Sequence, residues 1–239
     1  TKEAVDDETD GGGGARRNSM IPWFAGARAW VHDALSRRRL ERGFQASTDP
    51  WAYEKSEYEQ ARLDALAGMA ADRRYGAALE IGCAEGLFTE RMAAFCDRIT
   101  AVEFAPTARA RAEARLRHLP SGRVTVHLGN IRSWIPPAGA RFDLIVASDV
   151  LYYLDTNGGH RFLDEPEFGP FLERVAGWLA PSGRMLVSHA FIGEEERRVR
   201  VTYRERLERA GLRLERETEV GRGLDKDGTV CLMSLLRRA

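Results

Sequence analysis

A short apolar run ending in Glu80-Ile81-Gly82 leads through Cys83-Ala84-Glu85-Gly86 into a helical pattern that begins at Leu87. Small residues in a strand-to-helix turn let backbone come close to a ligand. The next strand-like run ends in Glu103, where a carboxylate can accept from the hydroxyls of a ribose. The turn departs from a dinucleotide loop, because Ala84 holds its middle position and no third glycine follows at the expected spacing. A pyrophosphate would be poorly held, and Glu80 would repel it. The same carboxylate suits an ammonium group. Later strand-like runs end at Ser148-Asp149 and Ser188-His189, which places a carboxylate and a titratable imidazole at strand ends as well.

Such residues act together only if a scaffold gathers the strand ends. From Tyr75 onward strand-like and helix-like runs alternate, which predicts an α/β fold with a doubly wound, mostly parallel sheet. The last two strand-like runs, 212–220 and 229–238, follow the final helical run closely and fit an antiparallel pair at the C-terminal end. Ligands in such a sheet bind beyond the carboxyl ends of the strands, where strand order reverses. Residues 73–239 therefore form the binding domain. Residues 1–18, acidic with four consecutive glycines, read as a disordered tail. Residues 19–72 read as a helical segment that lids the site. Within it Trp23, Ala27, Trp30, Val31, Ala34 and Leu35 share one side of a helix spanning Ile21 to Phe44. That helix packs on the domain, or it serves a membrane surface or a partner subunit. Asp49-Pro50 reads as a helix entry, with Tyr58, Leu63, Leu66 and Met69 at helical intervals after it.

The 36 basic and 36 acidic side chains cancel, so the whole-molecule field would not gather nucleic acid. Three cysteines and five histidines without ligand spacing predict neither a disulfide framework nor a metal site. Reduced thiols, an acidic start and no long apolar run predict a soluble cytoplasmic protein, with no membrane partner.

Taken together, Glu80-x-Gly82-x-x-x-Gly86, Glu103, Gly129-Asn130, Phe142-Asp143-Leu144-Ile145 and Leu179-x-Pro181-x-Gly183 resemble the signature set of class I S-adenosylmethionine (SAM) dependent methyltransferases. The resemblance covers roughly residues 75–239. Asp49-Pro50-Trp51, Tyr58-Glu59, Ala78 to Cys83, and Asp149-Val150-Leu151-Tyr152-Tyr153-Leu154 are similar to the nodulation protein S (NodS) group of amino-sugar N-methyltransferases. This implies SAM as cofactor and S-adenosylhomocysteine (SAH) as product. Gly82, Ala84 and Gly86 would carry the loop under the methionine part, with Glu80 accepting from its ammonium. Glu103 would hold both ribose hydroxyls, Phe104 would lie against adenine, and Asn130 and Ile131 would complete the adenine site. Tyr58, Asp149 and Val150 join these as expected cofactor contacts. Asn130 stands where the family usually has Asp, yet it keeps an acceptor oxygen. Ala84 replaces a common Gly.

On the acceptor side Asp149 would orient an amine, His189 would remove its proton, and Tyr152 would line the site. Strand-end acids also cap helices, and a strand-end histidine is as often a core residue. The implied acceptor is an amine of an amino sugar or aminoglycoside, in antibiotic or other specialised metabolism. A small-molecule O-methyltransferase is the alternative, with RNA methylation third. Acids at Glu54, Glu57, Asp155, Asp164, Glu165, Glu167 and Glu194 to Glu196 would rim a pocket for a cation. The insertion 155–169 would set specificity. The assembly reads as a monomer or homodimer.

Overall fold

The computed structural model describes residues 21–154 and 168–239, with side chains from Ala34 onward. The 1–18 segment, the side chains of Trp23, Ala27, Trp30 and Val31, and Asp155, Asp164, Glu165 and Glu167 lie outside the described residues.

The sheet is built outward from β1 (Ala78–Ile81), whose four residues are all buried. A strand covered on both faces has no solvent side, so it carries a nearly unbroken apolar run. β2 (Ile99–Glu103) and β4 (Phe142–Ser148) flank it in parallel. Beyond them β3 (Val124–Leu128) and β5 (Leu179–Phe191) continue the parallel pairing. β7 (Val230–Arg238) then runs antiparallel to β5, and β6 (Leu212–Val220) antiparallel to β7. The order is β3-β2-β1-β4-β5-β7-β6, a doubly wound sheet closed by the expected antiparallel pair. The winding reverses between β1 and β4, where Ile81 and Ala147 pair in register, and a crevice opens beyond them.

Alternation along the strands decides what each face buries. Leu144, Val146, Leu186 and Met233 pack beneath α2 (Glu57–Ala70) and α3 (Leu87–Met92). Ile145, Ala147, Val187 and Leu236 pack on the other face with Phe171 and Leu172 of α5 (Phe168–Gly177) and Tyr203 and Leu207 of α6 (Gly193–Arg209). α1 (Ile21–Ala46) crosses onto α4 (Pro106–Arg115), where Glu41 accepts from Thr107 N–H at 3.0 Å and Phe44 packs on Ala105 and Ala108. Leu35, expected on the packed side of α1, is 58% exposed instead.

The helix entry expected at Asp49-Pro50 falls elsewhere. α2 begins at Glu57, with Ser56 Oγ accepting from Glu59 N–H at 3.3 Å. The Asp49 carboxylate accepts from Tyr53 and Glu54 N–H at 2.7 and 3.1 Å, which holds a loop in place of a helix start. Trp51 in that loop packs edge-on against Phe44, with ring centroids 4.8 Å apart.

Candidate functional site

The crevice encloses 440 Å³, within the range of small-molecule sites, about 300–1,000 Å³. Among the expected site residues Tyr58, Gly82, Ala84, Glu103, Phe104, Asn130, Ile131, Asp149, Val150 and Tyr152 line it. Glu80, Gly86 and His189 do not.

At one end the chain leaves β1 through Gly82 (φ +73°) and Ala84 (φ +47°), both left-handed. Gly82 must lack a side chain, because a Cβ there would stand 2.7 Å from Val150 Cγ2. The Glu103 carboxylate ties this turn to the next one. Its Oε1 accepts from Phe104 and Ala105 N–H at 2.7 and 2.8 Å, and its Oε2 from Ala84 N–H at 2.8 Å. Burial pushes its pKa up, against the pull of those three donors. A carboxylate has about four acceptor sites, so roughly one stays open toward the cleft. Phe104 and buried Ile131 line the same end, and the Asn130 Oδ1 accepts from Arg132 N–H at 3.0 Å. The acceptor atom expected to face adenine is thus shared with backbone.

Two glycine-turn expectations need correction. Glu80 does not line the main crevice: it is 3% exposed, it borders a small separate cavity with Gly82, Cys83 and Ala84, and Thr89 Oγ1 donates to its Oε2 at 2.5 Å. Burial pushes its pKa up, against the pull of the Thr89 hydrogen bond. Gly86 (φ +84°) serves packing. A Cβ there would meet Ala112 and Leu116 at 3.3 Å.

His189 is also corrected. Along β5 the Ser188 side chain falls on the α2 face, where its Oγ lies 2.9 Å from Ser148 Oγ, so His189 must point to the opposite face. There its ring lies 4.6 Å from Tyr203 and 6.3 Å from Tyr152. Among the described residues neither ring nitrogen has a hydrogen-bond partner. Burial lowers its pKa to about 4. A group depressed in this way contributes stability above its unfolded pKa near 6.5, and that contribution is lost as pH falls toward 4. The His189 ring resonances in NMR are therefore expected to stay flat from pH 8 to about 5. A titration near 6.5 would return His189 to the cleft.

At the other end Asp149, left-handed at φ +51°, is held from four sides. Oδ1 accepts from Ala190 N–H at 2.6 Å and from the Tyr152 hydroxyl at 3.3 Å. Oδ2 pairs with Arg62 at 2.9 Å and accepts from Ser188 Oγ at 3.4 Å. Arg62, only 3% exposed, also donates to Ser148 Oγ at 2.7 Å and pairs with Glu59 at 2.6 Å. Sequence reasoning missed Arg62 and left Glu59 without a role. The available signal was a charged residue on the apolar stripe of α2, between Tyr58 and Leu66. Trp51, Tyr53, Tyr153, Asp225 and Thr229 complete this end. Burial holds the Tyr152 phenol well above its ordinary pKa.

The expected acid rim is absent among the described residues. Glu54 pairs with Arg115, Glu196 accepts from Ile192 N–H at 2.9 Å as a cap of α6, and Glu194 faces Arg197 and Arg198. The acids that do line the cleft are Glu59, Glu103, Asp149 and Asp225. No trio of His, Cys, Asp or Glu placed to hold a metal occurs among the described residues. No described helix is long and apolar enough to cross a membrane.

The strand order, the crevice at its reversal, the glycine turn and the acid ending β2 define the class I SAM-dependent methyltransferase fold. The family model for nodulation protein S (NodS) matches residues 32–161. That is more than half of the chain, and the chain belongs to the NodS family. Nodulation protein S of Sinorhizobium fredii is 32% identical over 146 residues, which is 61% of this chain and 62% of that protein. Nodulation protein S of Bradyrhizobium diazoefficiens is 34% identical over 148 residues, 61% of this chain and 64% of its own length. The match thus spans under two thirds of these relatives. The crystal structure of N-methyltransferase NodS from Bradyrhizobium japonicum WM9 in complex with SAH superposes with a TM-score of 0.70. It is 26% identical and covers 85% of this chain and 98% of that one.

Proposed function

We propose that the protein transfers a methyl group from SAM to an amine on a sugar. The observation that carries the cofactor half is Glu103, fixed by three backbone donors at the cleft lip with one acceptor site left for a ribose hydroxyl. The residues present fit SAM: a glycine turn that admits close approach, an apolar slot between Phe104 and Ile131, and a cavity of suitable size. The similar NodS structure carries SAH and is described as an N-methyltransferase, which supports the same reading here.

When bound, SAM supplies a methyl group on a sulfonium, an electrophile that needs no further activation. The protein's part is then to hold the nucleophile in line and keep its lone pair available. The cleft is lined by four carboxylates, Glu59, Glu103, Asp149 and Asp225, against two guanidiniums, Arg62 and Arg132, an excess of negative charge that favours a cationic amine. Trp51, Tyr53 and Tyr153 add aromatic surface to the cleft, which suits the C–H faces of a sugar. Asp149 shapes this end mainly by anchoring Arg62, because its oxygens are already engaged.

Incubation with methyl-deuterated SAM and a panel of glucosamine oligosaccharides, aminoglycosides, phenols and RNA, followed by mass spectrometry, is expected to label an amino sugar. Labelling confined to a phenol or to RNA would overturn the acceptor assignment.

A further inference from the structure

With His189 outside the cleft the amine has no imidazole to take its proton; of the three carboxylates at this end Asp225 is held by Thr229, whose N–H and hydroxyl both donate to its Oδ2, and Asp149 and Glu59 remain. Asp149 is saturated, with both oxygens engaged by Ala190, Tyr152, Arg62 and Ser188. Glu59 is not. It faces the cleft from α2, with its side chain 16% exposed. Its Oε2 alone takes Arg62, through Nε at 2.8 Å and Nη2 at 2.6 Å. Among the described residues nothing hydrogen-bonds Oε1. Arg62 therefore fixes the plane of the Glu59 carboxylate while one oxygen stays available.

We propose that Glu59 Oε1 receives the proton of the acceptor amine, with Arg62 as the positioning residue that aims it. The assignment rests on the amine reading above. The substrate ammonium gives a proton to Oε1 and keeps the N–H electron pair. That pair forms the new N–C bond as the C–S bond breaks, and the C–S electrons remain on sulfur, which becomes a neutral thioether. Glu59 then returns its proton to water.

The surroundings suit the task. Burial raises the Glu59 pKa, Arg62 opposes this, and the carboxylates of Asp149 and Asp49 add to it. The charge of Glu59 in turn raises the pKa values of Tyr53, Tyr58 and Cys231 around it. A carboxylate raised toward the working pH is a better match for an amine proton than an ordinary one.

The test uses the full chain with SAM and an unacetylated glucosamine tetramer, comparing wild type, Glu59→Gln and Glu59→Asp from pH 6 to 9.5. Glu59→Gln is expected to lower kcat about 10²–10⁴-fold at pH 6.5, the usual contribution of a positioned base. The loss should shrink as the amine deprotonates by itself at high pH, while the Kd of SAH changes less than about threefold. Should Glu59→Gln not fold, Glu59→Asp carries the test, since it keeps the charge and shortens the reach; the same pH-dependent loss is expected. A wild-type profile, or a loss equal at every pH, would overturn the role of Glu59 while leaving the amine reading intact. A wild-type protein that labels no amine in the panel overturns the function itself, and this role with it.

Discussion

Replacing Arg62 by alanine is expected to destabilise the protein by about 3–5 kcal/mol, the largest single effect among the cleft residues. The guanidinium is 3% exposed and joins Glu59, Ser148 and Asp149. Its removal leaves Glu59 and Asp149, whose side chains are 16% and 13% exposed, without their shared counter-charge, and partly buried groups of this kind cost more when orphaned than the pair contributed when whole. Urea unfolding at neutral pH measures this directly. A loss below about 1 kcal/mol would mean that Glu59 and Asp149 are solvated without Arg62, and that the pair is ordinary surface chemistry.

Gly82→Ala should strike both stability and cofactor binding. A methyl group there would sit 2.7 Å from Val150 Cγ2 and 3.2 Å from its Cβ, on backbone at φ +73°. The left-handed conformation costs a non-glycine residue about 1–2 kcal/mol, and overpacking a further ~1–3 kcal/mol. Because Gly82 and Val150 both line the cleft proposed to hold SAM, relief of the clash moves that wall, and SAH affinity should fall more than tenfold. Gly86→Ala is the contrast. Its strain at φ +84° and its contacts with Ala112 and Leu116 lie off the cleft, so melting should drop while the folded protein still binds SAH. Equal loss of SAH affinity in both variants would contradict this division of the turn.

Much of this arrangement was legible in the sequence, because each legible part depends on a local pattern. The burial of β1 and β4 follows from apolar runs that only Glu80 and Asp143 interrupt ahead of the strand ends, the glycine turn from its spacing, and Glu103 from its place at a strand end. What escaped depends on pairings distant in the chain. Arg62 and Ser148 are 86 positions apart, and nothing local announces that one lies against the other. His189 was misplaced by a single residue of alternation: its neighbour Ser188 faces the cleft side, and period-two geometry sends the imidazole the other way. Glu194 to Glu196 read as a rim for a cation, yet acids in the first turn of a helix find cap and dipole partners nearby. The Asp49-Pro50 pair carries a helix-start signature, but the Asp49 carboxylate spends its acceptors on the loop of Tyr53 and Glu54.

The central claim is that this cleft is a SAM site organised by Glu103. Calorimetric titration with SAH, on wild type and Glu103→Ala, tests it most directly. Wild type should bind in a single-site isotherm. Glu103→Ala should lose roughly 1–3 kcal/mol of that affinity through the missing charged hydrogen bond, about five- to 150-fold. A wild type that does not bind SAH, or a variant that binds it as tightly as wild type, would contradict the claim.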